Sequence, residues 1–140
     1  MCLWQVTKIY KRPKYGEQVA WKILEEWEGF RTPWQGWEVT TEWDRAQTYN
    51  LESVYREGDY KSVFYPSGFH CFKTKEIAEN AYNWLARGRR AIHPVMIKGI
   101  VCYGPDGAAN DYEYYDADLT TLVARWMRLL TDEERQRFGV

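Results

Sequence analysis

The residues best suited to chemistry lie in one short segment, Gly68-Phe69-His70-Cys71-Phe72, which runs into a helix predicted to begin at Thr74. Neighbouring side chains on a strand point to opposite faces, so His70 shares a face with Phe72 and not with Cys71. His70 is therefore badly placed to activate the thiol as a nucleophile. A histidine just before a helix N-terminus suits contact with an anion or a backbone amide. The alternative is a ring whose nitrogens tie the strand to a neighbouring carbonyl.

Arginines and one glutamate offer further polar groups for a ligand. Arg87, Arg89 and Arg90 follow the first predicted helix, where guanidinium groups could grip a phosphate; a solvated turn is the alternative. Glu113 lies in the segment YEYYDA at 112–117 and could act as a general base, bind a ribose hydroxyl or be an exposed edge charge. No phosphate-binding glycine loop, nucleophile elbow or kinase signature accompanies them. We therefore assign no catalytic residue.

Aromatic side chains are unusually frequent, with 8 Trp, 11 Tyr and 5 Phe in 140 residues. They either fill a thin core or leave rings that line a pocket and stack on a flat ligand. The segment 29–50 carries Trp37 and Trp43 and is expected to be irregular, closing the core or forming a pocket wall. The candidate ligand-binding residues are His70, Phe72, Arg87, Arg89, Arg90, Glu113, Trp37 and Trp43.

Charge and cysteine content restrict the function classes. The net charge is −1, which does not favour general DNA binding, although Lys11, Arg12 and Lys14 form a local basic cluster. Three widely spaced cysteines and two histidines give no metal-ligand spacing, so we expect neither a metal nor a cofactor. Without an apolar run of signal-peptide or membrane-helix length, the chain is expected to stay in the cytoplasm, away from membranes.

The order of elements predicts one α+β domain spanning 1–140, an antiparallel or mixed sheet with two main helices packed on one side. Strands are predicted at 3–10, 19–27, 91–103 and 112–117, with two extended pieces around a turn at 66–68 and a loop at 11–18. In 19–27, Trp21 and Ile23 share the buried parity, and Lys22 lies on the solvent side. Gly99 suggests a bulge or a close backbone approach. Helices are predicted from Thr74 to Gly88, across 119–130, and after Thr131, whose spacing to Glu134 is that of a capping box.

Several of these segments carry a family resemblance. The start Met1-Cys2-Leu3, the pair Arg12-Pro13, the Gly68-to-Phe72 segment with Lys75-Glu76-Ile77-Ala78 after it, and MIKGIVCYG within 95–104 resemble small phage and prophage proteins. The resemblance covers roughly residues 1 to 120 and implies a phage accessory protein, a class that often inhibits host defence. A fainter likeness, to ADP-ribosyltransferase-like domains, implies an NAD site around His70, Tyr82 and Glu113.

Two functional hypotheses follow. The first is a binding protein without catalysis that blocks a host defence protein or sequesters a small nucleotide signal. The second is an enzyme of the ADP-ribosyltransferase-like or nucleotide-processing type, acting on NAD or a nucleotide through His70 and Glu113. A structural or homo-oligomeric role is a third possibility. All of the binding hypotheses depend on aromatic rings that the core does not consume.

Overall fold

The computed structural model describes residue 3 and residues 5–33, 36–47, 50–55, 61–85, 88–105 and 120–140. These residues form a mostly antiparallel β structure with two helices, which agrees in this coarse form with the expected α+β class. The strands are β1 (Gln5–Val6), β2 (Lys8–Lys14), β3 (Gln18–Glu26), β4 (Phe30–Arg31), β5 (Glu38–Val39), β6 (Asp44–Arg45), β7 (Asn50–Tyr55), β8 (Lys61–Pro66), β9 (Phe69–Phe72), β10 (Arg90–Pro105) and β11 (Thr120–Leu129). The helices are α1 (Lys75–Leu85) and α2 (Asp132–Phe138).

Four strands of the main sheet pair in a closed ring. The main sheet has the order β2-β10-β11-β9-β3-β4-β5, and β10 also pairs with β3. The pairings β3–β10–β11–β9–β3 therefore form a closed ring, which we call the strand ring. The 16-residue β10 holds it together, because its first half pairs with β3 and its second half with β2 on the same edge. A separate sheet of β1, β7 and β8 lies beside the ring, and its β1–β7 pairing is parallel.

Gly99 lies where β10 changes its pairing. Its φ is +71°, and the register with β11 and with β2 shifts just beyond it, between Ile100 and Cys102. A Cβ at this position would lie 3.2 Å from the Cβ of Arg125 on the neighbouring strand. The irregularity and close approach expected at this glycine are both present.

The strand ring gives β3 two buried faces. Ala20 and Leu24 point into the ring and belong to the largest apolar cluster, whereas Ile23 packs outside it, under α1. Lys22 is buried as well, so its predicted place on a solvent-facing side is wrong. A simple alternation assumes a sheet with one solvent-facing side, but in β3 the side that carries Lys22 lines the ring and α1 covers the opposite side.

Helix α1 was predicted correctly. The Thr74 hydroxyl accepts the backbone N–H of Ile77 at 3.2 Å, as an N-cap should. Ile77, Ala78 and Ala81 form the buried side of the helix and cover Phe72. The chain beyond α1 includes Gly88 with φ +66°, the left-handed geometry expected near a helix stop.

The helix predicted across 119–130 is wrong, because residues 120–129 form β11. The apolar residues at helical spacing belong to a strand buried on both faces: Leu122 and Ala124 point into the ring, and Val123 packs against the cluster around Tyr65. A continuous apolar run gives no periodicity that separates such a strand from a buried helix. The two-helix layer is therefore replaced by one packed helix, α1, and by α2, which buries no residue.

At the C-terminus the predicted capping box is confirmed. The Thr131 hydroxyl accepts the Glu134 backbone N–H, and the Glu134 carboxylate accepts the Thr131 N–H at 3.1 Å. Arg128 on β11 makes a two-pronged ion pair with the same carboxylate, at 2.5 and 2.8 Å. These hydrogen bonds lower the pKa of Glu134 to about 2, and the hydrogen bond from Arg128 has the largest effect.

The N-terminal region differs from its prediction in two ways. The strand expected at 3–10 is interrupted at Thr7, and the loop expected at 11–18 is strand as far as Lys14. The extension of β2 includes Pro13, which has no N–H to donate. Between Ile9 and Lys14 the register shifts against β10, so the intervening residues bulge from the edge of the sheet.

Candidate functional site

His70 lies in β9 and is 6% exposed. Its Nδ1 lies 3.0 Å from the Gly68 carbonyl, which can only accept, so Nδ1 carries the proton and Nε2 is free to accept. The Tyr65 hydroxyl lies 3.2 Å from Nε2 and itself accepts the Leu3 N–H at 2.8 Å. We call these four residues the His70 network. Of the two roles considered for His70, the network is the structural one: both ring nitrogens are used to tie chain segments together.

The electrostatics keep this histidine neutral. Burial, reinforced by the nearby Lys22 ammonium, lowers the pKa of His70 from 6.5 to about 3. The Lys22 Nζ donates to the His70 carbonyl oxygen at 2.7 Å. Burial also raises the pKa of the Cys71 thiol to about 11, and the thiol packs 3.7 Å from the Met127 sulfur. Neither His70 nor Cys71 offers a group that ionises near neutral pH.

The other residues predicted from the sequence are dispersed. Phe72 is fully buried under α1 and has no surface for a ligand. Arg90 is held in an ion pair with Glu25 at 3.0 Å, whereas Arg89 is exposed and, with Trp27, lines a wide shallow depression. Arg87 and Glu113, with the whole 112–117 segment, lie outside the described residues.

Tryptophan placement supports the idea of surplus rings. All five tryptophans whose side chains are described are at least partly exposed. They are Trp21, Trp27, Trp37, Trp43 and Trp126. Buried aromatics in the described residues are Tyr65, Phe69 and Phe72. These three rings are therefore buried in the core, whereas each described indole keeps part of its surface exposed, including Trp21, which packs against the cluster under α1.

Trp37 lines a cleft of about 170 Å³ between β5 and β6. Its apolar wall consists of Trp37, which is 38% exposed, with Val39 and Phe69 behind it. Its polar lining is supplied by Glu38, Asp44, Arg45 and Gln47. The Asp44 carboxylate has no hydrogen bond or ion pair among the described residues. Partial burial, and then the like charges of Glu42 and Glu38, raise the pKa of Asp44.

Trp43 lies on the other side of β6, between two cations. The Lys98 Nζ lies 4.2 Å from the centre of its ring and the Arg128 guanidinium 4.9 Å from it. Lys98 also approaches the ring of Trp126, its cross-strand partner, at 5.4 Å. Trp37 and Trp43 thus flank the same two-residue strand but serve different surfaces, one acidic and one basic.

Sequence reasoning missed the residues that complete these surfaces. Lys98 could have been flagged, because it is the one Lys, Arg, Asp or Glu in the apolar run 91–103. Trp126 was assigned to a helix, which hid its pairing with Lys98 on one side and Arg45 on the other. Asp44 carries no sequence signal of its own, since only the fold places it behind Trp37.

The described part of the chain offers no metal site and no membrane-spanning helix. It contains no cluster of three His, Cys, Asp or Glu side chains that could hold a metal ion. No helix within the described ranges is long and apolar enough to cross a membrane. Comparisons with protein-family models, with curated proteins and with solved structures found no match to this chain.

Proposed function

We propose that this chain is a non-catalytic binding protein that engages another protein through the cleft at Trp37. The observation that carries the proposal is that one concavity holds an exposed indole, Trp37, and a partly buried carboxylate, Asp44, that has no ion pair within the described residues. Concave sites with apolar walls and a few polar groups are where proteins take up ligands. Trp and Arg, both present here, are the side chains most often found at the energetic centre of protein interfaces.

The cleft favours a cationic group over a phosphate. Glu38 and Asp44 line it together with Arg45, so the lining carries two acidic groups and one basic group. Partial burial, and then repulsion from Glu42 and Glu38, raise the pKa of Asp44. An anion would increase that repulsion, whereas an ammonium or guanidinium group would relieve it and could also pack on the face of Trp37. We therefore propose an arginine or lysine side chain of a partner protein as the occupant, rather than a small nucleotide.

The resemblance to phage accessory proteins indicates the kind of partner. We propose that it is a host defence protein and that the chain acts by blocking it. The alternative, an enzyme acting on NAD or a nucleotide, would need His70 at an open site. The ring of His70 has both nitrogens engaged in the interior, so the placement of this residue supports binding rather than catalysis.

Asp44→Asn is expected to weaken the binding of a blocked arginine-containing peptide by about tenfold, because hydrogen bonds to charged groups contribute about 1.5–3 kcal/mol. Trp37→Ala should weaken it similarly. Titration followed by NMR chemical shifts measures the affinity, which for one side chain should lie near 1 mM. Wild-type affinity should also fall as the pH is lowered and Asp44 takes up a proton.

A matched control is Trp27→Ala, which removes an exposed indole, 57% accessible against 38% for Trp37, from a different surface. It should leave peptide affinity unchanged. Because Asp44 is repelled by its neighbours, Asp44→Asn should also raise the free energy of unfolding slightly, by about half a kcal/mol. A loss of affinity accompanied by a loss of stability, or equal effects of the two tryptophan variants, would contradict the proposal.

The inhibitory role has its own test. Expression of the wild-type chain in a bacterial strain that carries an active defence system should raise the plaque count of a restricted phage. The Asp44→Asn variant should not. Equal plaque counts with the wild-type chain and with an empty vector, across strains with different systems, would rule out this role and leave the peptide-binding result intact.

A further inference from the structure

A second surface, on the outer side of β10, β11 and β6, alternates rings with cations. Trp126 lies between Lys98 and Arg45 in the cross-strand register, and both cations approach its ring, at 5.4 and 5.8 Å. Trp43 lies beside Lys98. Beyond Trp126, at Gly99, Tyr15 and Arg125 approach the same point of β10. We call this set the ring–cation strip; its members are Tyr15, Trp43, Trp126, Arg45, Lys98 and Arg125.

The strip concentrates contacts between cations and aromatic rings. Four cation–ring approaches lie on or beside it, at 4.2 to 5.8 Å: Arg45 and Lys98 at Trp126, and Lys98 and Arg128 at Trp43. Such contacts contribute about 0.5–1 kcal/mol each at exposed sites, and here they gather cations and rings in one patch.

The cations of the strip lack anionic partners within the described residues. Lys98, Arg45 and Arg125 form no ion pair there, and the Nε of Arg125 is buried without a hydrogen-bond partner. By contrast, Arg128 at the end of the strip is neutralised by Glu134, with Glu17 also nearby. An unpaired buried guanidinium nitrogen is costly, because no acceptor replaces the water that it loses on burial.

We propose that the ring–cation strip binds single-stranded nucleic acid. Unpaired bases stack on aromatic side chains in a sequence-tolerant way, and lysines or arginines beside the rings contact the phosphates. Tyr15 and Arg45 are exposed and the other four members of the strip are partly exposed, so a strand could pass over the strip, whereas an isolated nucleotide would need a concave pocket. The net charge of −1 does not oppose this, because the three cations without acid partners are gathered on one face.

The strip is also separate from the peptide cleft. The cleft carries two carboxylates and is walled by Trp37, whereas the strip is centred on Trp126; Arg45 borders both. They meet at β6, where Asp44 pairs with Met127 and Arg45 with Trp126. Lys98 and Tyr15 do not line the cleft, so variants at these two residues test the strip separately from the cleft.

Fluorescence anisotropy with a labelled single strand of about 12 nucleotides tests the proposal. The wild-type chain should bind it at low salt, and the affinity should fall with salt with a log–log slope of about −2, for three phosphates neutralised. The double variant Lys98→Met/Arg45→Met should lose about tenfold or more in affinity. Tyr15→Ala removes a ring that is 56% exposed, so it should leave the fold intact and cost about fivefold through lost stacking.

Lys75→Met is the matched control, since Lys75 lies 5.6 Å over the ring of Trp21 on a different face. It should bind like the wild type, as should Trp37→Ala. No binding of the labelled strand at wild-type protein concentrations up to roughly 100 µM, the weak end of non-specific affinity, would overturn the proposal. Equal affinity for a duplex of the same sequence would overturn the stacking role. Unchanged binding by both strip variants would exclude this surface.

Discussion

Gly68→Ala is expected to lower the free energy of unfolding by about 3 kcal/mol, the upper range for an overpacked core position. A Cβ at residue 68 would lie 2.5 Å from the Ala124 carbonyl oxygen and 3.1 Å from a methyl carbon of Val123. These atoms belong to β11, which pairs with β9 at Phe69 and closes the strand ring. Neither strand can retreat without breaking that pairing, and the obstacle is backbone rather than a flexible side chain.

Chemical denaturation of the wild type and the variant measures this difference. Gly16→Ala is the matched control, because a Cβ at Gly16 meets no atom within 4 Å and its φ is outside the left-handed region. The control should change stability by less than about half a kcal/mol. If Gly68→Ala were as stable as Gly16→Ala, the close approach of β9 and β11 would be wrong.

The same close approach explains the segment Gly68-Phe69-His70-Cys71-Phe72 as a structural unit. Gly68 admits the neighbouring backbone, Phe69 and Cys71 fill the strand ring, and Phe72 packs under α1. His70 ties the strand to Tyr65. Each residue has a packing or hydrogen-bonding role, so the segment that first suggested chemistry is better explained by the closure of the fold.

Local signals in the sequence were sufficient for part of this structure. Thr74 and Thr131 mark helix starts through hydrogen bonds that span three residues, and both caps are present. The strands at 19–27 and 91–103 follow from β-branched and aromatic content, and both are present as β3 and β10. These features depend on neighbours along the chain, which is why single-sequence reasoning finds them.

The predictions that were wrong concern features that depend on contacts between residues distant in the sequence. The burial of Lys22 and the strand state of 120–129 both result from ring closure, which pairs β3 with β10 and β11 with β9. The residues that complete the two surfaces could not be predicted for the same reason. Trp37 and Trp43 were identified from their residue type, but Asp44, Lys98 and Trp126 acquire their roles through β6–β11 and β10–β11 register, which no local pattern encodes.

Mild acid is expected to destabilise the protein through one residue, His70. The pKa of His70 is about 3 in the folded protein and about 6.5 in the unfolded chain, so the unfolded chain takes up the proton first. The stability that the neutral ring contributes is complete above pH 6.5 and is lost as the pH falls toward 3. At about 1.4 kcal/mol per pH unit, the loss between pH 6.5 and 4.5 is about 3 kcal/mol.

Denaturant unfolding at several pH values between 6.5 and 4.5 separates this effect from that of Glu134, whose lowered pKa acts only below 4.5. His70→Gln keeps an acceptor for the Tyr65 hydroxyl but cannot take up a proton. It should be less stable than the wild type by about 1–2 kcal/mol at neutral pH and should lack the steep acid loss. His93→Gln, which removes the other histidine and its 3.0 Å contact with Glu26, should retain that loss because it keeps His70. Two outcomes would contradict this: a wild-type free energy of unfolding that stays constant down to pH 4.5, or the same pH dependence in His70→Gln. Either would show that the ring takes up its proton without cost and that the His70 network does not hold it neutral.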